Sequence, residues 1–191
     1  FSLLTRKGQM SLDPIILLTL RASVTLLFAS AIAHKLWNAA EFQQTLRGYL
    51  QGFSANERGL QKPLFLMIVV LEFIVLGLCL FPSTHIAAGL LASGVLLVYA
   101  AVMAVNLLRR NVLIDCGCSW GKSRHMLHPA LLVRNVMLAL AALAITLPVN
   151  DRELFTLDVI SVVFATVTAA VLYTAGNKIL SLGFTERMKI A

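Results

Sequence analysis

Charged residues are scarce in this sequence: Asp, Glu, Lys and Arg make up only 13% of its 191 residues, about half the fraction usual in a soluble domain. Hydrophobic residues make up 59%, and the mean hydropathy is +0.84. Several apolar runs reach the roughly 20 residues that a helix needs to cross a bilayer. The composition therefore excludes an ordinary soluble domain and indicates an integral membrane protein. Because the backbone in lipid must satisfy its own hydrogen bonds, the fold class is all-α.

Acidic residues are the scarcer of the two charge types, with nine Asp and Glu against sixteen Lys and Arg, so the net charge is +7. No basic run is interleaved with aromatic residues, as a nucleic-acid surface would require. We therefore expect no nucleic-acid partner. The positive charge is better explained by loops that contact lipid headgroups and anchor the topology in the bilayer.

The apolar runs predict a bundle of four to five transmembrane helices, folded as a single domain over residues 1–191. Pro14 suits the first turn of the first span, and Pro63 is predicted to open the second. The fifth run is less apolar than the others, and we favour a span there as well. The predicted spans are residues 14–33, 64–81, 86–108, 130–147 and 157–175.

The polar connection between the first two spans, residues 38–63, carries apolar residues at helical spacing: Phe42, Leu46, Tyr49, Leu50 and Phe53. This pattern predicts an amphipathic helix that lies in the membrane interface. Such a helix either packs over the mouth of the bundle or acts as a lid or partner-binding element, and the sequence leaves both roles open.

Cysteine is also scarce, and two of the three cysteines, Cys116 and Cys118, lie one residue apart in the loop between the third and fourth spans. A disulfide between them would close a very small ring, which Gly117 makes feasible, and its strain would make it a good oxidant of other thiols. Two alternatives stay open: unpaired thiols, or a Cu(I) or Zn pair completed by His125 and His128. Redox chemistry is the interpretation that we favour.

The third cysteine, Cys79, falls within the second span. We expect it to be an inert, small apolar side chain, with a resolving-thiol role as the alternative.

Four ionisable residues lie within or beside the spans: Arg21, His34, Glu72 and Arg134. A charge at that depth costs at least about 3 kcal/mol, so we expect these groups to pair with one another. They form either a polar pocket for protons or for a quinone head group, or an internal ion pair that fixes helix register. Glu72 is the strongest functional candidate.

The distribution of basic residues bears on which side of the membrane the cysteine loop faces. With five spans, eleven Lys and Arg fall on the side of that loop and only three, Arg6, Lys7 and Arg152, fall opposite. The positive-inside rule therefore places the loop in the cytoplasm. Disulfide chemistry favours the outside, because cytosolic thiols are kept reduced. The two arguments conflict.

A set of residues over about 15–148 resembles the methylamine utilisation protein MauE family. The resemblance is carried by Arg21, Phe28-Ala29, His34-Lys35-Leu36, the spacing of Phe42, Leu46 and Tyr49, Pro63 with Glu72, Asp115-Cys116-Gly117-Cys118, and Arg134-Asn135. One departure is Ser119-Trp120-Gly121, where the family usually has Phe-Gly directly after the second cysteine. The predicted span at 157–175 lies beyond the resemblance.

The resemblance implies a bacterial inner-membrane protein required for maturation of the disulfide-rich small subunit of methylamine dehydrogenase, together with a periplasmic thioredoxin-like partner, MauD. The layout is also similar to DoxX and vitamin K epoxide reductase type bundles, in which a cysteine pair exchanges electrons with a quinone. On that basis we expect the cysteine loop in the periplasm, against the charge count. The predicted function is a thiol–disulfide relay; the alternative is a non-enzymatic assembly factor or scaffold.

Overall fold

The computed structural model describes residues 12–50, 57–109, 129–150 and 152–190, and their regular structure is helical apart from one isolated bridge between Leu12 and Val149. A short 3-10 turn, Pro82–Thr84, joins the third helix to the fourth. The predicted all-α class is therefore confirmed. The helices are α1 (Pro14–Trp37), α2 (Ala39–Leu50), α3 (Glu57–Leu80), α4 (His85–Leu108), α5 (Pro129–Ala144) and α6 (Thr156–Ile190).

Within the part of the chain that the structure describes, four helical segments are long and apolar enough to cross a membrane: Pro14–Trp37, Gly59–Leu80, Pro82–Leu108 and Thr156–Ile179. The predicted fifth span is therefore a helix of full spanning length. The predicted fourth span is the short one, since α5 has 16 residues and is only about 24 Å long at 1.5 Å per residue. The bundle thus has the expected four to five membrane helices.

Two helix ends differ from the predicted spans. α3 begins at Glu57, so Pro63 lies inside the helix and does not open it. This position is in the second turn, where a proline removes one backbone hydrogen bond without ending the helix. α5 ends early because the amides of Ile145, Thr146 and Leu147 bond to carbonyls three residues back, which tightens the chain before Pro148.

The core of the bundle lies between α1, α3, α4 and α5, and α6 packs mainly against α1. α2 packs against α3, beside the end of α1. Many buried positions on α4 and α5 carry small residues, so these two helices approach closely; they are Ala88, Gly89, Ala92, Ser93 and Ala100 on α4, and Ala139 and Ala142 on α5. The buried core residues include Val24, Phe28, Val75, Cys79, Ala88, Ala92, Ala139 and Ala142.

The chain segments before α1 and after α5 meet at one end of the bundle. The amide of Leu12 donates to Pro148 O at 2.8 Å, and the amide of Asn150 donates to Leu12 O at 3.0 Å. Arg152 contacts both Asp13 and Asp158. The amino end of α1 and the 148–155 turn therefore share a side, as predicted. α1 ends, α3 begins, α4 ends and α5 begins at the opposite end, so the cysteine segment leaves the bundle from there.

A face of small residues on α4 lies against α5. A Cβ atom placed on Gly89 would come within 2.9 Å of Ala142 O and of Thr146 Cγ2. Ala92 and Ser93 are buried on the same helix. α4 and α5 are thus packed at a separation that only glycine allows at position 89.

We expect Gly89→Ala to destabilise the bundle by about 1–3 kcal/mol, because the added methyl group meets a backbone carbonyl that moves only with the helix. Gly94→Ala is the matched control: no atom lies within 4 Å of its added Cβ, so stability should be unchanged or raised by up to about 1 kcal/mol. Thermal unfolding in detergent compares the two. Equal stability of both variants would show that α4 and α5 can separate without cost.

Candidate functional site

The most deeply buried charges form an ion pair between Lys35, in the last turn of α1, and Glu72 of α3. Lys35 Nζ lies 2.5 Å from Glu72 Oε1, and each side chain is only 1% exposed. Tyr99 of α4 donates its hydroxyl to the same Oε1 atom at 2.7 Å. We call Lys35, Glu72 and Tyr99 the polar cluster. It joins three helices through one carboxylate oxygen.

Aromatic rings surround the Lys35 ammonium. Its Nζ atom lies 5.1 Å from the ring centroid of Phe42 on α2 and 5.3 Å from that of Tyr99 on α4. Phe42 in turn packs against Phe65 of α3, with ring centroids 6.0 Å apart. Both rings are close enough for cation–π attraction, which adds to the ion pair. The ammonium is therefore enclosed by residues of α2, α3 and α4.

The carboxylate of Glu72 is used on one oxygen only. Oε1 accepts from both Lys35 and Tyr99, whereas the buried Oε2 has no hydrogen-bond partner among the residues that the structure describes. A carboxylate accepts on both oxygens, and buried polar atoms are almost always satisfied. The charges of the cluster balance, yet an acceptor remains open at its centre.

The structure does not bring the four predicted pocket residues together at one place. Arg21 Nε donates to Cys79 O at 2.8 Å, near the carboxyl end of α3. Arg134 of α5 donates to Asn177 Oδ1 of α6 at 2.8 Å. His34 is the neighbour of Lys35 in the last turn of α1. The ion pair on Glu72 thus comes from Lys35, and Arg21 and Arg134 serve other helix pairs.

Lys35 is one of the eleven basic residues assigned above to the side of the cysteine loop, although the sequence carries a signal for its burial. Lys35 follows Arg21, Val24, Phe28 and Ile32 at spacings of three or four residues, and all five are buried on the same face of α1. A cation that continues a buried helical face needs a carboxylate partner, and Glu72 was the available one. Tyr99 carries no comparable signal.

Cys116 and Cys118 lie outside the described residues, as do His125 and His128 of the alternative metal site. The flanking helix ends are described. Met103 of α4 and Leu131 of α5 form a small cluster there with Leu107 and with Tyr49 of α2. α2 therefore packs at the end of the bundle from which the cysteine segment leaves.

The predicted interfacial helix is confirmed in its position between the first two spans. Phe42 and Leu46 are buried against the bundle, as the packing role requires. Of the three other apolar positions, Tyr49 is partly buried, whereas the side chain of Leu50 and the whole of Phe53 lie outside the described part of the chain.

Cys79 is buried in the core of α3, as expected for an inert side chain. Within residues 12–50, 57–109, 129–150 and 152–190, no group of three or more potential metal ligands is found. The polar cluster is therefore the chemical feature that the described residues offer.

The chain was compared with known proteins. A family model for methylamine utilisation protein MauE matches residues 13–148. The chain is similar to methylamine utilization protein MauE of Paracoccus denitrificans, with 33% identity over 70% of each chain. It is 36% identical to the protein of that name from Methylorubrum extorquens, over 72% of this chain and 73% of the relative. It is 28% identical to the protein of that name from Paracoccus versutus, over 71% of this chain and 70% of the relative. No solved structure matches the chain.

Proposed function

Since the chain belongs to the methylamine utilisation protein MauE family, we propose that it is a thiol–disulfide redox protein that relays electrons from a periplasmic thioredoxin-like partner to an acceptor in the membrane. Family membership places it in methylamine utilisation, and with its apolar helices it is a multi-pass protein of the bacterial inner membrane. The relay itself is the proposal.

In this scheme Cys116 and Cys118 exchange their disulfide with a MauD-like partner. The partner's two thiols lose two electrons and two protons and become a disulfide, while the pair in this chain becomes a dithiol. The dithiol then passes two electrons and two protons to a membrane quinone, which becomes a quinol, and the disulfide re-forms. The oxidised partner supports disulfide formation in a client, for which we propose the methylamine dehydrogenase small subunit.

The observation that carries the proposal is the polar cluster beneath the end of the bundle from which the cysteine segment leaves. Lys35 reaches it from the last turn of α1, and Glu72 holds an open acceptor oxygen there. Ionisable groups within membrane helices are costly and most often serve proton or substrate pathways. A two-electron transfer from thiols to a quinone also moves two protons, so a buried acid–base group is what this chemistry needs.

We propose Glu72 as the main contact for the acceptor in its reduced, quinol form, with His34 beside Lys35 as a second polar group at that end. Arg21 and Arg134 are proposed to act at a distance, by holding α1 to α3 and α5 to α6 through their hydrogen bonds. This division follows from their contacts: each guanidinium already donates to a group outside the polar cluster.

The relay predicts that Cys116 and Cys118 change redox state with quinone turnover. Thiols trapped with a mass tag in native membranes should be largely oxidised during respiration and reduced when oxidation of quinol is blocked. Cys79 is an internal control, since its burial should leave it reduced and tagged only after denaturation. A pair that stays reduced in both states, and never forms a mixed disulfide with the partner, contradicts the proposal. A membrane-impermeant tag also reports the side that the loop faces.

A further inference from the structure

We infer that Glu72 Oε2 accepts a hydrogen bond from the hydroxyl group of a neutral, ring-shaped membrane molecule, so that the bundle binds the hydroxylated form of that molecule in preference to its carbonyl form. The inference deepens the proposed function and rests on it for the role of the molecule: its carbonyl form is the electron acceptor, and the hydroxylated form held at Glu72 is the product of that transfer. The binding position itself is defined by Lys35, Glu72 and Tyr99.

The ligand must be a hydrogen-bond donor. The contacts from Lys35 and from Tyr99 are both on Oε1 of Glu72, and within the described part of the chain Oε2 is buried without a partner. A carboxylate paired in this way accepts hydrogen bonds and donates none. A molecule that presents only carbonyl oxygens therefore forms no hydrogen bond with Oε2, whereas a hydroxyl group donates one to it.

The ligand must also be neutral. The ammonium of Lys35 and the carboxylate of Glu72 already cancel, and both are enclosed at 1% exposure. An added ion would leave a net charge in a region of low dielectric constant, at a cost that one hydrogen bond does not offset. A phenol-like hydroxyl group supplies the donor without the charge.

The surroundings favour a lipid-soluble ring over a polar solute. Tyr99, which donates to Glu72, is only half-buried on a membrane-spanning helix, and its neighbours Val98 and Val102 are exposed. A molecule dissolved in the bilayer thus meets the Tyr99 side of the polar cluster first. One side of the Tyr99 ring faces the Lys35 ammonium, and the part of this half-buried ring that meets the bilayer can pack against a second ring.

A direct test measures binding of two probes that differ only in oxidation state, trimethylhydroquinone and trimethylbenzoquinone. The full chain is used with Cys116 and Cys118 both replaced by serine, so that it exchanges no electrons with either probe. Isothermal titration calorimetry in lipid nanodiscs, without oxygen, gives the two affinities. A hydrogen bond to a charged acceptor predicts at least about tenfold tighter binding of the hydroquinone.

Two further variants locate the preference. In Lys35→Met with Glu72→Gln the site stays neutral, but the Gln amide both donates and accepts, so the affinity ratio should fall towards one. Tyr99→Phe frees a second acceptor position on Oε1 and should keep the preference, and it tests the inference even where the double change does not fold. Equal binding of both probes to the parent chain, or loss of the preference in Tyr99→Phe, overturns the inference.

The outcome is separable from that of the proposed function. Hydroquinone binding at Glu72, together with cysteines that never oxidise in native membranes, would sustain the site and reject the relay. Cysteines that cycle normally, together with no probe binding, would sustain the relay and reject the site; a Glu72 oxygen that binds water only belongs to this second outcome.

Discussion

Glu72→Gln alone is expected to lower the free energy of unfolding by about 3–5 kcal/mol, because it leaves the Lys35 ammonium buried without its counter-charge. Lys35→Met should cost a similar amount, since it strands the carboxylate. Both effects are large for a bundle of this size, whose total stability is on the order of 10 kcal/mol. Unfolding in a mixed detergent series, followed by circular dichroism, measures them.

The double variant Lys35→Met with Glu72→Gln should recover most of this loss, because it removes both charges together and keeps side chains of similar volume. The exposed ion pair of Arg152 is a matched control at the other end of the bundle. Arg152 is 43% exposed and lies 3.8 Å from Asp13 and 3.0 Å from Asp158, so solvent screens both contacts and Arg152→Ala should change stability by only about 1 kcal/mol. A double variant as unstable as the singles would show that the two charges do not act as a pair.

Loss of either charge of the polar cluster is expected to be strongly destabilising because the cluster holds more than one pair of helices together. Lys35 comes from α1, Glu72 from α3 and Tyr99 from α4, while Phe42 of α2 covers the ammonium. An apolar membrane helix can slide or rotate against its neighbours at little cost, since lipid and helix faces are equally apolar. A buried ion pair with one defined geometry removes that freedom, so the same groups that are proposed to serve the acceptor also set the register of the bundle.

The helices could be predicted from the sequence because their signals are local. Each signal depends on residues within one segment of the chain. These signals are the apolar runs of spanning length, the spacing of Phe42, Leu46 and Tyr49, and the small residues around Gly89. The predicted helix ends were less accurate than the predicted helices. Pro63, predicted to open the second span, lies inside α3, and α5 ends at Ala144 rather than at residue 147. Neither end has a local signal, because a proline in the second turn and a tightened last turn are both compatible with an apolar run.

The candidate site could be predicted only in part. The burial of the Glu72 carboxylate can be predicted from its place in an apolar run. The identity of its ion-pair partner depends on how α1 and α3 align. Arg21 and Lys35 lie on the same face of α1, and either could have met the carboxylate. The contact of Arg21 with Cys79 O leaves Lys35 to reach Glu72 from the other end of α1. Such a choice depends on side-chain length and on helix crossing, which no single segment encodes.

The largest functional effect is expected from serine at position 116 or 118. Each single change, Cys116→Ser or Cys118→Ser, should reduce maturation of the client to the background of cells that lack this chain. A hydroxyl group is far less nucleophilic than a thiolate and forms no disulfide, so one cysteine cannot complete the two-electron cycle. The measurement is the amount of correctly disulfide-bonded methylamine dehydrogenase small subunit in the periplasm.

Cys79→Ala is the matched control for these changes. The Cys79 side chain is buried in the core between α1 and α3, and the relay gives it no part in thiol exchange, so client maturation should persist in this variant. The same experiment separates the relay from a scaffold. A non-enzymatic assembly factor acts through its surfaces, so either serine variant should then support maturation as well as Cys79→Ala does. The relay requires the opposite, with both serine variants inactive although the chain is present in the membrane in normal amount.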